Sequence, residues 1–478
     1  MYEPFVPFPF PAHTGPLTLS SMSPSIRLAH ALSALALVVA TAFTAAAQQI
    51  PKLRYEKFTL PNGLEVIIHE DHSTPIAVVD TWYKVGSGDE KPGRTGFAHL
   101  FEHVMFMGSQ NVPVGKFDEW LEAAGVNNNG STTSDRTNYY EVGPSNALPL
   151  KLWLDADRMG WLLPTMDQPK LDAQREVVKN ERRQSYDNQP YGRAYETIIA
   201  ALYPSGHPYS WPTIGSMADL SAASLEDVKE FFRLYYAPNN ATMVIAGDVR
   251  PDSVKAWVTK YFADIPRNTT APVRPNVRAL TRTSDTTLVL EDKVQLPRIY
   301  YTWPTIPAFH ADEAALDHLA DILGGGESSR LHQKLVYQMQ IAQFASANHP
   351  ASKLDGTWQI VATPMPGHTP EEIANVINDE LAKAIAEGVT ERELQRAKNS
   401  RRAGFLDGLS SILGKAEQLN RYNYFVGNPD YTQQDAARYD AVTLADVKRV
   451  AQKYLTKGKV VLTVVPEGKR NLALPGGR

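Results

Sequence analysis

The chain has 478 residues, 43% of them apolar, which is enough material for two or more packed domains. Its formal net charge is −4 and it has no long basic run, which argues against nucleic acid as a partner. There is no cysteine, so disulfides, iron–sulfur clusters, thiolate zinc sites and cysteine nucleophiles are excluded. Any zinc must rest on His and carboxylate ligands, the pattern of a catalytic rather than a structural site.

In chain order, residues 1–47 read as an upstream extension followed by a signal peptide at about 22–47. Arg27 supplies a positive start, residues 31–42 an apolar stretch, and Ala45-Ala46-Ala47 a small-residue cleavage site. This predicts export to a periplasm-like space. The apolar run is short for a membrane span, so none is expected after cleavage; an uncleaved anchor is the alternative.

Residues 48–265 form a first expected domain. Stretches 64–69, 76–85 and 241–249 are rich in β-branched residues and predict strands. Stretches 116–124, 148–162 and 225–236 carry helical periodicity. Between them lies His99-Leu100-Phe101-Glu102-His103, in a segment where Phe97, Leu100, Phe101, Val104 and Met105 recur at helical spacing. Gly96 and Gly108 bracket about three turns. His99 and His103 fall one turn apart, and Glu102 projects to the same side. Two neutral imidazoles so spaced can share one zinc ion, and a carboxylate beside it can take a proton from water and pass it to a leaving amine. The run has the H-x-x-E-H pattern of an inverted zinc-peptidase motif. A helix surface that merely happens to hold two His and a Glu is the bland alternative. The same ligand types also suit cobalt or manganese.

Residues 266–285, with their Pro and Thr, read as a linker. The second expected domain, 286–467, has strand-like stretches at 287–290, 298–303, 358–363 and 460–465, and a helical one at 370–387. Residues 468–478 read as a disordered tail. Strand–strand–helices–strand order in each half favours α+β: two homologous domains, each a mostly antiparallel sheet with helices packed on one face.

Homology between the halves rests on a constant offset. Residues 224–229 (SLEDVK) echo 443–448 (TLADVK), 179–183 (KNERR) echo 398–402 (KNSRR), and His99-Leu100 echoes His318-Leu319, each 219 positions later. The second copy has Asp321 opposite Glu102, Ile322 opposite His103 and Ser400 opposite Glu181, so it lacks the means to build the same site. That contrast makes Glu181 the leading third ligand. Gln174, Val177, Val178 and Glu181 share a helix face, which sets a carboxylate on a partly apolar stripe, where it needs a partner. A salt bridge to an Arg is the other reading, and Glu176 the rival ligand.

These residues resemble the pitrilysin/insulinase-like zinc metallopeptidases, in particular the short two-domain type related to mitochondrial processing peptidase. The likeness runs over nearly the whole mature chain: residues 96–103 (GFAHLFEH), 129–132 (NGST), 175–183 with Glu181 at its expected place, 239–242 (NNAT) and 324–331 (GGGESSRL). It implies one zinc per chain held by His99, His103 and Glu181, Glu102 as the base, and two half-units enclosing a chamber for unfolded peptides. It also implies substrate held as an added strand along Asn129, Gly130, Ser131 and Thr132. Two departures stand out. Gln174 replaces a Glu found in many relatives seven residues before the ligand Glu. The Arg and Tyr of self-sufficient relatives fall at Val336 and Gln343, while Arg330 and Tyr337 keep the spacing six positions out of place. The resemblance therefore implies a homo- or heterodimer with a related chain that supplies the Arg/Tyr pair. A non-catalytic assembly subunit of the same fold is the competing reading.

Overall fold

Most strands form where β-branched and apolar residues run together, and several helices begin at a Ser, Thr or Asp side-chain cap. A computed structural model describes residues 50–277 and 280–477; the extension and signal segment expected over 1–47 lie outside the described residues. The first half runs β1 (Glu56–Thr59), β2 (Glu65–Glu70), β3 (Ile76–Tyr83), α1 (Phe97–Val104), α2 (Lys116–Ala123), β4 (Asn127–Thr132), β5 (Thr137–Pro144), α3 (Leu148–Trp161), α4 (Gln168–Arg182), α5 (Ala194–Leu202), α6 (Met217–Ala222), α7 (Leu225–Tyr235), β6 (Ala241–Gly247) and α8 (Pro251–Phe262). The second runs β7 (Thr286–Asp292), β8 (Arg298–Pro304), α9 (Glu313–Gly324), β9 (Ala342–Asn348), β10 (Thr357–Pro364), α10 (Pro370–Ala386), α11 (Glu391–Gly408), α12 (Ile412–Val426), α13 (Thr432–Asp440), α14 (Leu444–Tyr454) and β11 (Val460–Pro466). The echoed segments at 224 and 443 are helix starts: Ser224 with Asp227, and Thr443 with Asp446, close reciprocal capping boxes at α7 and α14.

One sheet has the order β1-β2-β6-β3-β5-β4 and the other β7-β11-β8-β10-β9. The pairs β2–β6 and β7–β11 are parallel and the rest antiparallel, so both sheets are mixed but mostly antiparallel, in an α+β fold. Each sheet packs one face on helices of its own half. Val79 and Ile245 meet Phe101, Leu152 and Phe232 in the first core; Ile299 and Trp303 meet Leu319, Ile377 and Val447 in the second.

The opposite faces are covered by exchange. Helix α5 lies on the second sheet, with Ala194 and Ile198 against Tyr300, Leu462 and Val464. Helix α12, its counterpart 219 positions on, lies against β3 and β6 of the first. Segment 266–285 is tied down as it crosses: Arg274 bonds Asp89 at 2.8 Å and Asn240 at 2.7 Å. Residues 51–478 accordingly cluster as one compact unit. The expectation of a disordered tail is corrected for the described residues. Residues 470–472 make a 3-10 turn, and the Leu474 N–H donates to Thr463 Oγ1 at 3.3 Å while its side chain packs on the second core. Among the described residues no helix is long and apolar enough to cross a membrane.

Candidate metal centre

Helix α1 carries the H-x-x-E-H run and is anchored on its core face and at its N-terminus. Phe97, Leu100, Phe101 and Val104 are buried in the first core. Its N-terminus has no side-chain cap from Gly96, which sits at φ +87°, where a Cβ would come within 2.8 Å of the Ile214 carbonyl. Glu90 supplies the cap from outside the helix. Its buried carboxylate accepts from the Gly96 N–H at 3.0 Å and the Ala98 N–H at 2.8 Å, and from Trp211 Nε1 at 3.1 Å.

Helix α4 brings Glu181 across. Its Oε2 lies 3.3 Å from His103 Nε2 and 3.7 Å from His99 Nε2. The ring centroids are 4.8 Å apart and nearly perpendicular. Among the described residues, these three form the one group of His, Asp and Glu side chains close enough to share a metal, with ligand atoms all within 4.8 Å of one another. Ligands at about 2.0–2.1 Å around a tetrahedral zinc stand about 3.3–3.4 Å apart, so the carboxylate-to-imidazole spacings fit such an ion. Nitrogen and oxygen donors with no thiolate suit a catalytic ion.

The protonation states agree with a ligand set. Burial, reinforced by the nearby His103, pushes the His99 imidazole down to about 4, so it stays neutral near pH 7. Its Nδ1 is buried with no partner among the described residues, which leaves packing to orient the ring. A hydrogen bond from His103 holds the Glu181 carboxyl below the usual range. One expectation about α4 is corrected. Leu171, Val178 and Arg182 make its inward face, whereas Val177 is 45% exposed and Glu181 is half-exposed, so the carboxylate stands beside the apolar stripe rather than on it. Glu181 reaches the imidazoles from the flank of the helix because 3.6-residue periodicity turns it off the core. The rival Glu176 is exposed and bonded to Lys179 at 2.7 Å. Gln174 donates to Met107 Sδ at 2.7 Å, not to a ligand side chain.

Glu102 is mostly buried beside this group, and burial raises its pKa, opposed by a hydrogen bond from Thr132. Thr132 Oγ1 donates to Glu102 Oε2 at 2.6 Å. Gly130 lies under the same side chain, where a Cβ would stand 3.0 Å from Glu102 Cγ, and only glycine leaves that room free. Both residues lie on β4, an edge strand whose far side has no neighbour in the sheet order. Asn129 Oδ1 accepts from the Gly130 N–H at 2.8 Å, and Ser131 Oγ donates to Asn138 Oδ1 at 2.7 Å. The residues marked for substrate thus include two, Gly130 and Thr132, that contact the Glu102 side chain. Glu90, Trp211, Arg136 and Asn138 went unnoticed in the sequence; a helix starting at glycine without a polar cap was the signal for the first.

In the second half, His318 is buried with Nε2 at 3.0 Å from the Tyr439 carbonyl. Asp321 pairs with Arg401 at 3.1 Å, and both line a cavity with Ser400 where the first half has its cluster. Arg330 is tied to Glu393 at 2.7 and 2.8 Å, whereas Tyr337 is 72% exposed, so the two do not act as a pair.

The profile described as Insulinase (Peptidase family M16) matches residues 65–210, and that described as Peptidase M16 inactive domain matches 222–401. The zinc protease PqqE of Helicobacter pylori is 32% identical over 438 residues, covering 90% of this chain and 96% of that protein. The chain belongs to peptidase family M16. A protein of Arabidopsis thaliana named as a probable mitochondrial-processing peptidase subunit beta is 25% identical, covering 85% of this chain and 77% of that one. The crystal structure of a protease from Helicobacter pylori superposes with a TM-score of 0.82 at 29% identity, covering 87% of this chain and all of that one. M16 relatives are thus named as zinc proteases, and the cluster of His99, His103 and Glu181 lies within the matched 65–210 segment. The match to the profile described as inactive includes Ile322 and Ser400, the positions opposite His103 and Glu181.

Proposed function

We propose that the chain is a zinc-dependent endopeptidase that hydrolyses unstructured peptides or oligopeptides, with His99, His103 and Glu181 as metal ligands and Glu102 as general base. The observation that carries this reading is the convergence of three ligand-type atoms with a second, hydrogen-bonded carboxylate beside them. Zinc held there supplies Lewis acidity, polarising a carbonyl and bringing the pKa of water toward ~7. Glu102 takes the proton of the attacking water and returns it to the departing amine. Thr132 holds one carboxylate oxygen, so the base keeps one orientation through both transfers. The open edge of β4 offers backbone groups to a peptide lying as an added strand, which selects extended chains over folded ones.

Glu102→Gln is expected to keep one zinc per chain and to lose peptide hydrolysis by about 10²-fold or more, and His103→Ala to lose both. Elemental analysis and cleavage of a quenched unstructured peptide, with and without chelator, check this; wild-type turnover by Glu102→Gln would remove the base from the scheme. We further infer export to the periplasm, from the signal pattern at 22–47, and pairing with a related chain that supplies an Arg/Tyr pair. Arg330 is spent on Glu393, and Val336 and Gln343 carry neither chemistry. Full activity of the chain purified alone would end the pairing proposal.

A further inference from the structure

Helix α12 of the second half meets the first sheet through polar side chains. Glu417 Oε1 accepts from Asn138 Nδ2 at 2.7 Å, and the same amide nitrogen donates to Asp80 Oδ1 at 3.0 Å. Asn138 Oδ1 accepts from Ser131 Oγ at 2.7 Å and from Arg136 Nη1 at 2.9 Å. Arg136 Nη1 also donates to the Ser131 carbonyl at 2.9 Å. Asn420 Nδ2 reaches the Asp80 carbonyl and Oδ2, each at 2.9 Å. The Asn138 side chain is fully buried and has spent all four of its hydrogen-bonding positions. The residue after Ser131 is Thr132, whose hydroxyl holds Glu102. Three hydrogen bonds and one chain step therefore link a carboxylate of the second half to the Glu102 carboxylate.

The equivalent seam across the molecule is built differently. Helix α5 covers the second sheet with Ala194 and Ile198 against Tyr300, Leu462 and Val464. Ile198 stands 219 positions before Glu417. The side chains of α5 that face this sheet are mainly apolar. Burying two carboxylates and two amides in the other costs desolvation that adhesion alone does not require. The polar seam occurs on the half that carries the metal cluster.

We propose that Glu417 is a positioning residue for Glu102, acting through Asn138 and Ser131 to fix the β4–β5 hairpin, so that docking of the second half sets the geometry of the base. The inference rests on the proposed peptidase reading. What Glu417 contributes is an acceptor for the Asn138 amide; without it a buried N–H is left unpaired and the hairpin relaxes. Lys415, on the same helix and paired with Asp71, adds adhesion without a path to Glu102.

The test uses the full chain, with kcat and KM on an unstructured peptide, zinc content and Tm measured together. Glu417→Ala is expected to lower kcat about ten- to a hundredfold with KM and zinc content unchanged. Glu417→Gln, which keeps the acceptor, is expected to restore kcat to within about twofold. Lys415→Ala is expected to lower Tm and leave kcat as it was. Should Glu417→Ala fail to fold, Ser131→Ala breaks the next link while leaving the Glu417–Asn138 bond in place and is expected to lower kcat in the same sense. Wild-type kcat in either of these two variants, or an equal kcat loss in Lys415→Ala, overturns the inference while leaving the peptidase reading intact. A wild-type chain that cleaves nothing, either alone or together with a related chain that supplies the Arg/Tyr pair, overturns both.

Discussion

Glu102 works under two opposed influences that can be separated by one substitution. Burial pushes its carboxyl above the ordinary range, and the Thr132 hydroxyl pulls it back by bonding the charged form. In its proposed role as base, Glu102 must be ionised to take a proton, so activity is expected to rise with pH through its pKa, and the acid limb of kcat/KM to mark it. Thr132→Val removes the donor and keeps the shape. The pKa then climbs further, and the acid limb is expected to move to higher pH, with loss of rate greatest on the acid side. A pH–rate profile of the two proteins checks the sign; an unmoved limb would mean that Thr132 does not touch the base in the working enzyme. The fitness of His99 as a ligand is likewise environmental, since burial keeps its imidazole neutral down to about pH 4.

At the scale of elements, α1 depends on a residue that is not part of it. Glu90 bonds two N–H groups at the helix start where Gly96 offers no side chain. Glu90→Ala leaves buried donors unpaired at the end of the metal helix and is expected to cost about 1–2 kcal/mol. The His99–His103 pair should bind zinc more weakly as the first turn frays, which calorimetric unfolding and zinc titration would register; an unchanged zinc affinity would confine Glu90 to structure alone. The same comparison shows which elements the sequence made legible. Strands β6 and β11 are buried along nearly their whole length and read as β-branched runs. Helices α7 and α14 announce themselves by their caps. Strand β4, Asn-Asn-Asn-Gly-Ser-Thr, has no strand propensity of its own and is extended because β5 pairs with it, Asn129 opposite Tyr140; only family resemblance pointed to it. Glu181 was legible because the second copy lost it. Asn138 and Glu417 were not, because 279 residues separate them and a short-range pattern carries no trace of such a contact.

At the scale of the molecule, the exchange of α5 and α12 makes the halves interdependent. Ile198, Ile199 and Leu202 on α5 are buried against groups that include Tyr300, Leu462, Val464 and Val460 of the second sheet. Removing that sheet exposes three large aliphatic side chains worth about 1.5–3 kcal/mol each. That loss is comparable with a whole domain's stability of about 5–15 kcal/mol. The same cut strips Asp80 and Asn138 of Asn420 and Glu417, leaving buried polar groups without partners. Residues 51–265 produced alone are therefore expected to be insoluble, or collapsed without fixed packing, and unable to hold zinc, although every ligand is present in the piece. Co-production with residues 280–477 is expected to restore a soluble, zinc-loaded assembly without a covalent link, because the seams and not segment 266–285 carry the association. Solubility, near-ultraviolet dichroism and zinc content of the piece alone and of the pair decide the matter. A first half that folds cooperatively by itself, with zinc bound and a melting temperature close to that of the full chain, would show that the exchanged helices are ornament to two self-sufficient domains.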